Sequence, residues 1–166
     1  MSKTELRKKV VDDKRRKSKR VKSMRNVKLL DPGNYNLVNV FGDGNCFYRA
    51  IIYYLASSET EHRVVRLQTC RYLKKNAIKI ATQFALDGFP ITRGDIITLA
   101  KEHRVNGVFT DHELIQHTVM KVYGIKIRIY FDNSGWWNPT NCNADDACNL
   151  LCRREHFQLM VPKYLV

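Results

Sequence analysis

The chain has 166 residues, 44% hydrophobic and 27% charged, enough for one globular domain with an appendage and too varied for a fibrous or low-complexity polymer. Its 29 Lys and Arg against 16 Asp and Glu give a formal charge of +13, which points to nucleic acid or another acidic partner. The charge is concentrated, however: residues 1–28 hold 13 Lys/Arg and 3 Asp/Glu, whereas the other 138 residues hold 16 and 13. The basic signal therefore belongs to a tail, expected to be disordered over residues 1–28, with the folded domain over residues 29–166.

In chain order, Asp31-Pro32-Gly33-Asn34 is a turn that opens the domain. Leu37 to Phe41 alternates as a short strand, Gly42-Asp43-Gly44-Asn45 forms a tight loop, and Cys46 to Leu55 has the apolar density of a buried helix. Thr60 to Phe84 carries apolar residues at three- and four-residue intervals, predicting one long helix or two. A further helix starts at Thr92 or Asp95 and reaches about His103; another is capped by Thr110 or Asp111 and ends at Tyr123-Gly124. Ile125, Ile127 and Ile129 alternate with Lys126, Arg128 and Tyr130 as a strand, Asp132 to Asp146 reads as loop, and His156 to Val161 is a last strand closed by Pro162. The order predicts an α+β domain with segregated layers.

Five cysteines, an odd number, and the lack of an N-terminal apolar run speak against a disulfide scaffold and a secretory signal. No stretch approaches the ~18 apolar residues of a membrane span. A soluble protein of the cytoplasm or nucleus is expected.

The sharpest local feature is Gly42-Asp43-Gly44-Asn45-Cys46-Phe47, a glycine-bracketed loop that delivers a cysteine to the start of a helix. The helix N-terminus favours a thiolate, and its free N–H groups can donate to a developing oxyanion. A lone cysteine there is also consistent with a small buried core residue. A nucleophile needs a base; of the five histidines, His62, His103, His112 and His117 fall within or beside charged helices, whereas His156 stands directly before an apolar strand.

The segment FGDGNCFYRAI resembles the signature of the ovarian tumour (OTU) family of cysteine proteases. Val105-Asn106-Gly107 with Thr110, Glu113 and Leu114 is similar to that family's W-G-x-x-x-E-L region, Tyr123 to Tyr130 to its following strand, and His156-Phe157 to its catalytic histidine segment. These blocks lie in family order over roughly residues 35–162. The resemblance implies a papain-like α+β fold, a small mixed or antiparallel sheet flanked by helices, and a deubiquitinase acting on ubiquitin or a ubiquitin-like modifier. It implies Cys46 as nucleophile, His156 as general base and Asp43 as the motif aspartate. Gly44 and Asn45 belong to the oxyanion loop, and Gln158 stands in the orienting position, where the family has Asn or Asp. No cofactor or metal is implied, and a monomer is expected. The family's tryptophan is replaced by Asn106, and Tyr48 stands where Phe is commoner. The compact size resembles viral or microbial members, for which the compartment is that of the host cell.

Three other readings compete. Cys142, Cys148, Cys152 and His156 are a Cys3His set within 15 residues, and on a helix the last three would share a face as zinc ligands. Lys14 to Arg20 in the tail suits nucleic-acid phosphates or an import receptor. A catalytically inactive ubiquitin-binding module is the third, with Trp136 and Trp137 either lining a substrate groove or forming a local packing patch.

Overall fold

The computed structural model describes residues 34–163; the basic tail expected over residues 1–28 lies outside them. The chain runs β1 (Tyr35–Val38), α1 (Cys46–Ala56), α2 (His62–Lys75), α3 (Ala77–Leu86), α4 (Arg93–His103), α5 (Glu113–Tyr123), β2 (Ile127–Phe131), β3 (Gly135–Trp137), a 3₁₀ turn (Ala144–Asp146), β4 (Cys148–Arg153) and β5 (His156–Pro162). The five strands form one mixed sheet in the order β1-β5-β4-β2-β3, parallel only between β2 and β4. The helices occupy the middle of the sequence and the sheet is completed late, the segregated α+β order expected from the sequence.

The pairing register divides the sheet into two faces. Ile127, Ile129, Cys148, Leu150, Phe157 and Leu159 point to the helices and join Phe47, Tyr48, Ile51, Leu73, Ile96 and Ile115 in the main core. Tyr35, Leu151 and Met160 form a smaller cluster on the opposite face, with Tyr130 and Trp136 packed against it. Helix α1 lies against β5 and β4, so the first turn of α1 and the start of β5 meet at one edge of the core.

Several boundaries differ from the sequence expectation for identifiable reasons. The long helical stretch divides at Asn76, whose side-chain amide donates to the Tyr72 carbonyl and competes with continuation of the helix. Thr92 and Asp95 cap α4 jointly, each side chain accepting from the other's backbone N–H. Helix α5 is capped by His112, not Thr110 or Asp111: Leu114 N–H donates to His112 Nδ1, while the Thr110 hydroxyl is buried against Tyr48 and His103.

The expected loop from Asp132 to Asp146 contains β3, and Cys148–Arg153 is a central strand. Arg128, which alternates with Ile127 and Ile129, is buried as they are. Its guanidinium lies 4.2 Å from the Trp136 ring centre and donates to Asn149 Oδ1 on β4. The adjacent tryptophans serve packing: Trp136 meets Tyr35 and Tyr130, and Trp137 meets His117.

Candidate active site

Gly42 to Asn45 links β1 to α1 and is braced on three sides. The Asp43 carboxylate turns back on its own loop: it accepts from Asn45 N–H (3.1 Å) and Nδ2 (2.9 Å), and from Arg49 Nε (3.2 Å) and Nη2 (2.7 Å) one turn into α1. This bidentate pairing holds its pKa well below the usual carboxylate range. All of these bonds go to Arg49 and Asn45, so Asp43 shapes the loop.

Gly44 has φ +78°, and a Cβ there would run into the Gly107 carbonyl. Glycine is required on both counts. Asn45 stands at the N-cap of α1 without capping it. Its Oδ1 instead accepts from Gly107 N–H (3.0 Å) and Arg66 Nη2 (3.0 Å), which ties the cysteine loop to the turn after α4.

Arg66 is fully buried on α2 and is the centre of this bracing. Its guanidinium donates to the carbonyls of His103 (2.8 Å), Gly44 (3.1 Å) and Val108 (2.8 Å), and stacks 4.3 Å over the Tyr48 ring. Sequence reasoning passed over it as one more helix charge. The signal was its spacing: Thr69, Cys70 and Leu73, three, four and seven residues on, all share its buried face.

Cys46 is the first residue of α1 and is 1% exposed. Its Sγ accepts from Phe157 N–H at 3.4 Å, a direct link to the residue after His156. The helix N-terminus was expected to depress the thiol pKa, but the direction is upward. Burial outweighs the backbone N–H groups of Phe157, Phe47 and Cys46, and the negative charge of Asp43 adds to it. With no side chain capping α1, its first-turn N–H groups surround the sulfur and can serve an oxyanion formed there.

His156 opens β5 on the sheet face opposite Phe157. Its Nε2 is 3.2 Å from Asn39 Oδ1, and its Nδ1 faces the Gly42 loop, where a Cβ on Gly42 would sit 3.5 Å away. Gln158 reaches Asn39 as well, its Nε2 donating to the same oxygen at 3.2 Å, in place of the ring contact expected of it. Asn39, just beyond β1, was not singled out in the sequence, because only the pairing of β1 with β5 brings it to His156.

The Cys3His reading does not hold in this fold. Cys148 and Cys152 lie on a strand, where four residues span about 13 Å, and His156 projects to the other face. Among the described residues no group of three or more His, Cys, Asp or Glu side chains converges as a metal site. Cys142 instead meets Asn138 in the loop after β3.

No family model and no curated relative matches the sequence. Solved structures do. The OTU domain of OTUD1 superposes with a TM-score of 0.60 at 18% identity, covering 81% of this chain and 90% of that one. The viral OTU domain protease from Qalyub virus gives 0.58 at 19% identity, over 77% and 84% of the two chains. The Hazara virus OTU, in a structure bound to ubiquitin, gives 0.55 at 18%, over 78% and 83%. These superpositions show that the chain has the fold of an OTU domain.

Proposed function

We propose that the chain is a cysteine-type deubiquitinase that removes ubiquitin or a ubiquitin-like modifier from conjugated proteins. The single observation that carries this reading is the hydrogen bond to Cys46 Sγ from the N–H of Phe157, the residue after His156; it supports pairing the two. Ubiquitin is bound to the Hazara virus OTU, a protein of the same fold.

In this reading the Cys46 proton passes to His156 Nδ1 as the sulfur attacks the carbonyl carbon of the isopeptide bond. The resulting oxyanion takes hydrogen bonds from first-turn N–H groups of α1, that of Cys46 among them, while the Asn45 N–H stays with Asp43 and holds the loop. The tetrahedral intermediate collapses, the C–N bond breaks, and the imidazolium gives its proton to the leaving lysine amine. Water then attacks the thioester with His156 again as base, and the modifier leaves with a free C-terminal carboxylate. Asp43 holds the loop through Arg49 and Asn45, and no cofactor takes part. A monomeric domain over residues 29–166, acting in the cytoplasm or nucleus, completes the reading; among the described residues no helix is long and apolar enough to cross a membrane. Residues 1–28 would then serve targeting or phosphate contacts.

The test is a ubiquitin derivative bearing a C-terminal electrophile. A covalent adduct on the full chain that is lost in Cys46→Ala supports the proposal. A folded chain that forms no adduct overturns it. Ubiquitin binding without an adduct would favour the second reading, a ubiquitin-binding module without turnover, which the burial of Cys46 supports.

A further inference from the structure

We infer that Asn39 is the residue that positions the His156 imidazole, and that Gln158 acts on the ring only through Asn39. The inference rests on the hydrolase reading above and adds to it the residue that sets the tautomer of the base.

A carboxamide oxygen can only accept. The 3.2 Å contact between Asn39 Oδ1 and His156 Nε2 therefore requires the proton on Nε2 and leaves the lone pair on Nδ1. That nitrogen is the one facing Gly42, in the loop that leads to Cys46. The tautomer needed for proton abstraction is thus the one that Asn39 selects.

The arrangement follows from register. Val38 pairs with Leu159 at the end of the β1–β5 ladder, so the next residue, Asn39, falls opposite Gln158. His156 and Gln158 are two apart on β5 and share a face. One residue on the neighbouring strand can thus reach both, Gln158 directly across and His156 on the diagonal. Gln158 donates its Nε2–H to Asn39 Oδ1, which fixes the amide with its oxygen toward the imidazole. Gln158 is one methylene longer than the Asn or Asp expected at that position, and its head group passes to the adjacent strand.

The experiment combines two readouts on the full chain: the His156 tautomer from long-range ¹H–¹⁵N spectra, and the rate of adduct formation with the ubiquitin electrophile. Wild type is expected to show the Nε2–H form. Asn39→Ala is expected to show mixed tautomers and a rate lower by on the order of tenfold to a hundredfold, less than the ~10⁴-fold of losing a charged orienting partner. Asn39→Asp, which keeps an acceptor, restores the Nε2–H form and most of the rate; Gln158→Ala loses less than Asn39→Ala. Asn39 is exposed and outside the ladder, so its substitution leaves the thermal midpoint within a few degrees.

Unchanged tautomer and rate in Asn39→Ala would overturn the inference, as would Gln158→Ala losing the tautomer as fully as Asn39→Ala. If wild type forms no adduct, the hydrolase reading fails, and the tautomer spectra still decide whether Asn39 positions the ring.

Discussion

The carbonyl oxygen of Gly107 fills the space in which a side chain on Gly44 would begin, so the cysteine loop and the turn after α4 touch backbone to backbone. Gly44→Ala must displace one of them and also hold an L-residue at φ +78°. The positive φ costs about 1–2 kcal/mol, and forcing the two loops apart adds roughly 1–3 kcal/mol. Gly88 has the same φ with nothing within 4 Å of its missing Cβ, so Gly88→Ala carries the first cost alone. Urea denaturation of the two variants isolates the second cost by difference. Equal destabilisation would show that the contact with Gly107 does not constrain the loop.

Arg66 satisfies three carbonyls and the Asn45 side chain at once. Arg66→Met fills the volume but leaves buried acceptors unpaired, each costing about 1–3 kcal/mol. A lysine presents no planar fork and cannot reach the same set, so Arg66→Lys should not rescue. Both variants are expected to lose several kcal/mol in chemical denaturation and to speed alkylation of Cys46 by a small electrophile, because a Gly44-Asn45 loop no longer held uncovers the buried thiol. Full stability in Arg66→Lys would show that charge alone suffices.

The parts of this site that are contiguous in sequence could be read from it, and the parts built by pairing could not. Gly42 to Cys46 is a local loop before a dense apolar helix, and His156 precedes a clear strand, so both stood out. Strand β4 was hidden because Cys148-Asn149-Leu150-Leu151-Cys152 is buried on both faces and shows no alternation of apolar and polar residues. Without β4 the sheet order was not derivable, and with it went the partner of Arg128. Asn39 depends on the same tertiary step. It is an ordinary polar residue at a strand end until β5 returns antiparallel beside β1.

The Asp43 carboxylate pairs with Arg49 at 2.7 Å, with side-chain exposures of 27% and 15%. Because its pKa is depressed in the folded state, the stability it contributes is complete above the unfolded carboxylate value near 4 and is lost as pH falls toward the folded value. Asp43→Asn should cost about 1–2 kcal/mol at pH 7, the lower part of the range reflecting its solvent contact. The gap between wild type and variant should stay constant from pH 7 to 5 and narrow only below pH 4. Thermal melts across that range check it. A gap that closes between pH 6 and 5 would place the titration on another group.

Burial raises the Cys46 thiol pKa despite the helix N-terminus. For an acid this direction means that thiolate accumulates only at alkaline pH. Iodoacetamide should therefore alkylate Cys46 slowly at pH 7 relative to free cysteine, and the rate should climb through pH 9 without an earlier plateau. Of the backbone groups opposing burial, Phe157 N–H lowers the thiol pKa most. Phe157→Pro would delete that donor but also break the β4–β5 ladder, so the usable variant is one that changes burial instead. Phe109 stacks on Phe157 at 5.6 Å, and Phe109→Ala would loosen the packing of the residue whose N–H meets the sulfur. It is expected to move the alkylation profile to lower pH, as loss of desolvation requires. A wild-type profile that already levels off below pH 7 would mean that the free protein holds a preformed thiolate, and that the helix N-terminus outweighs burial after all.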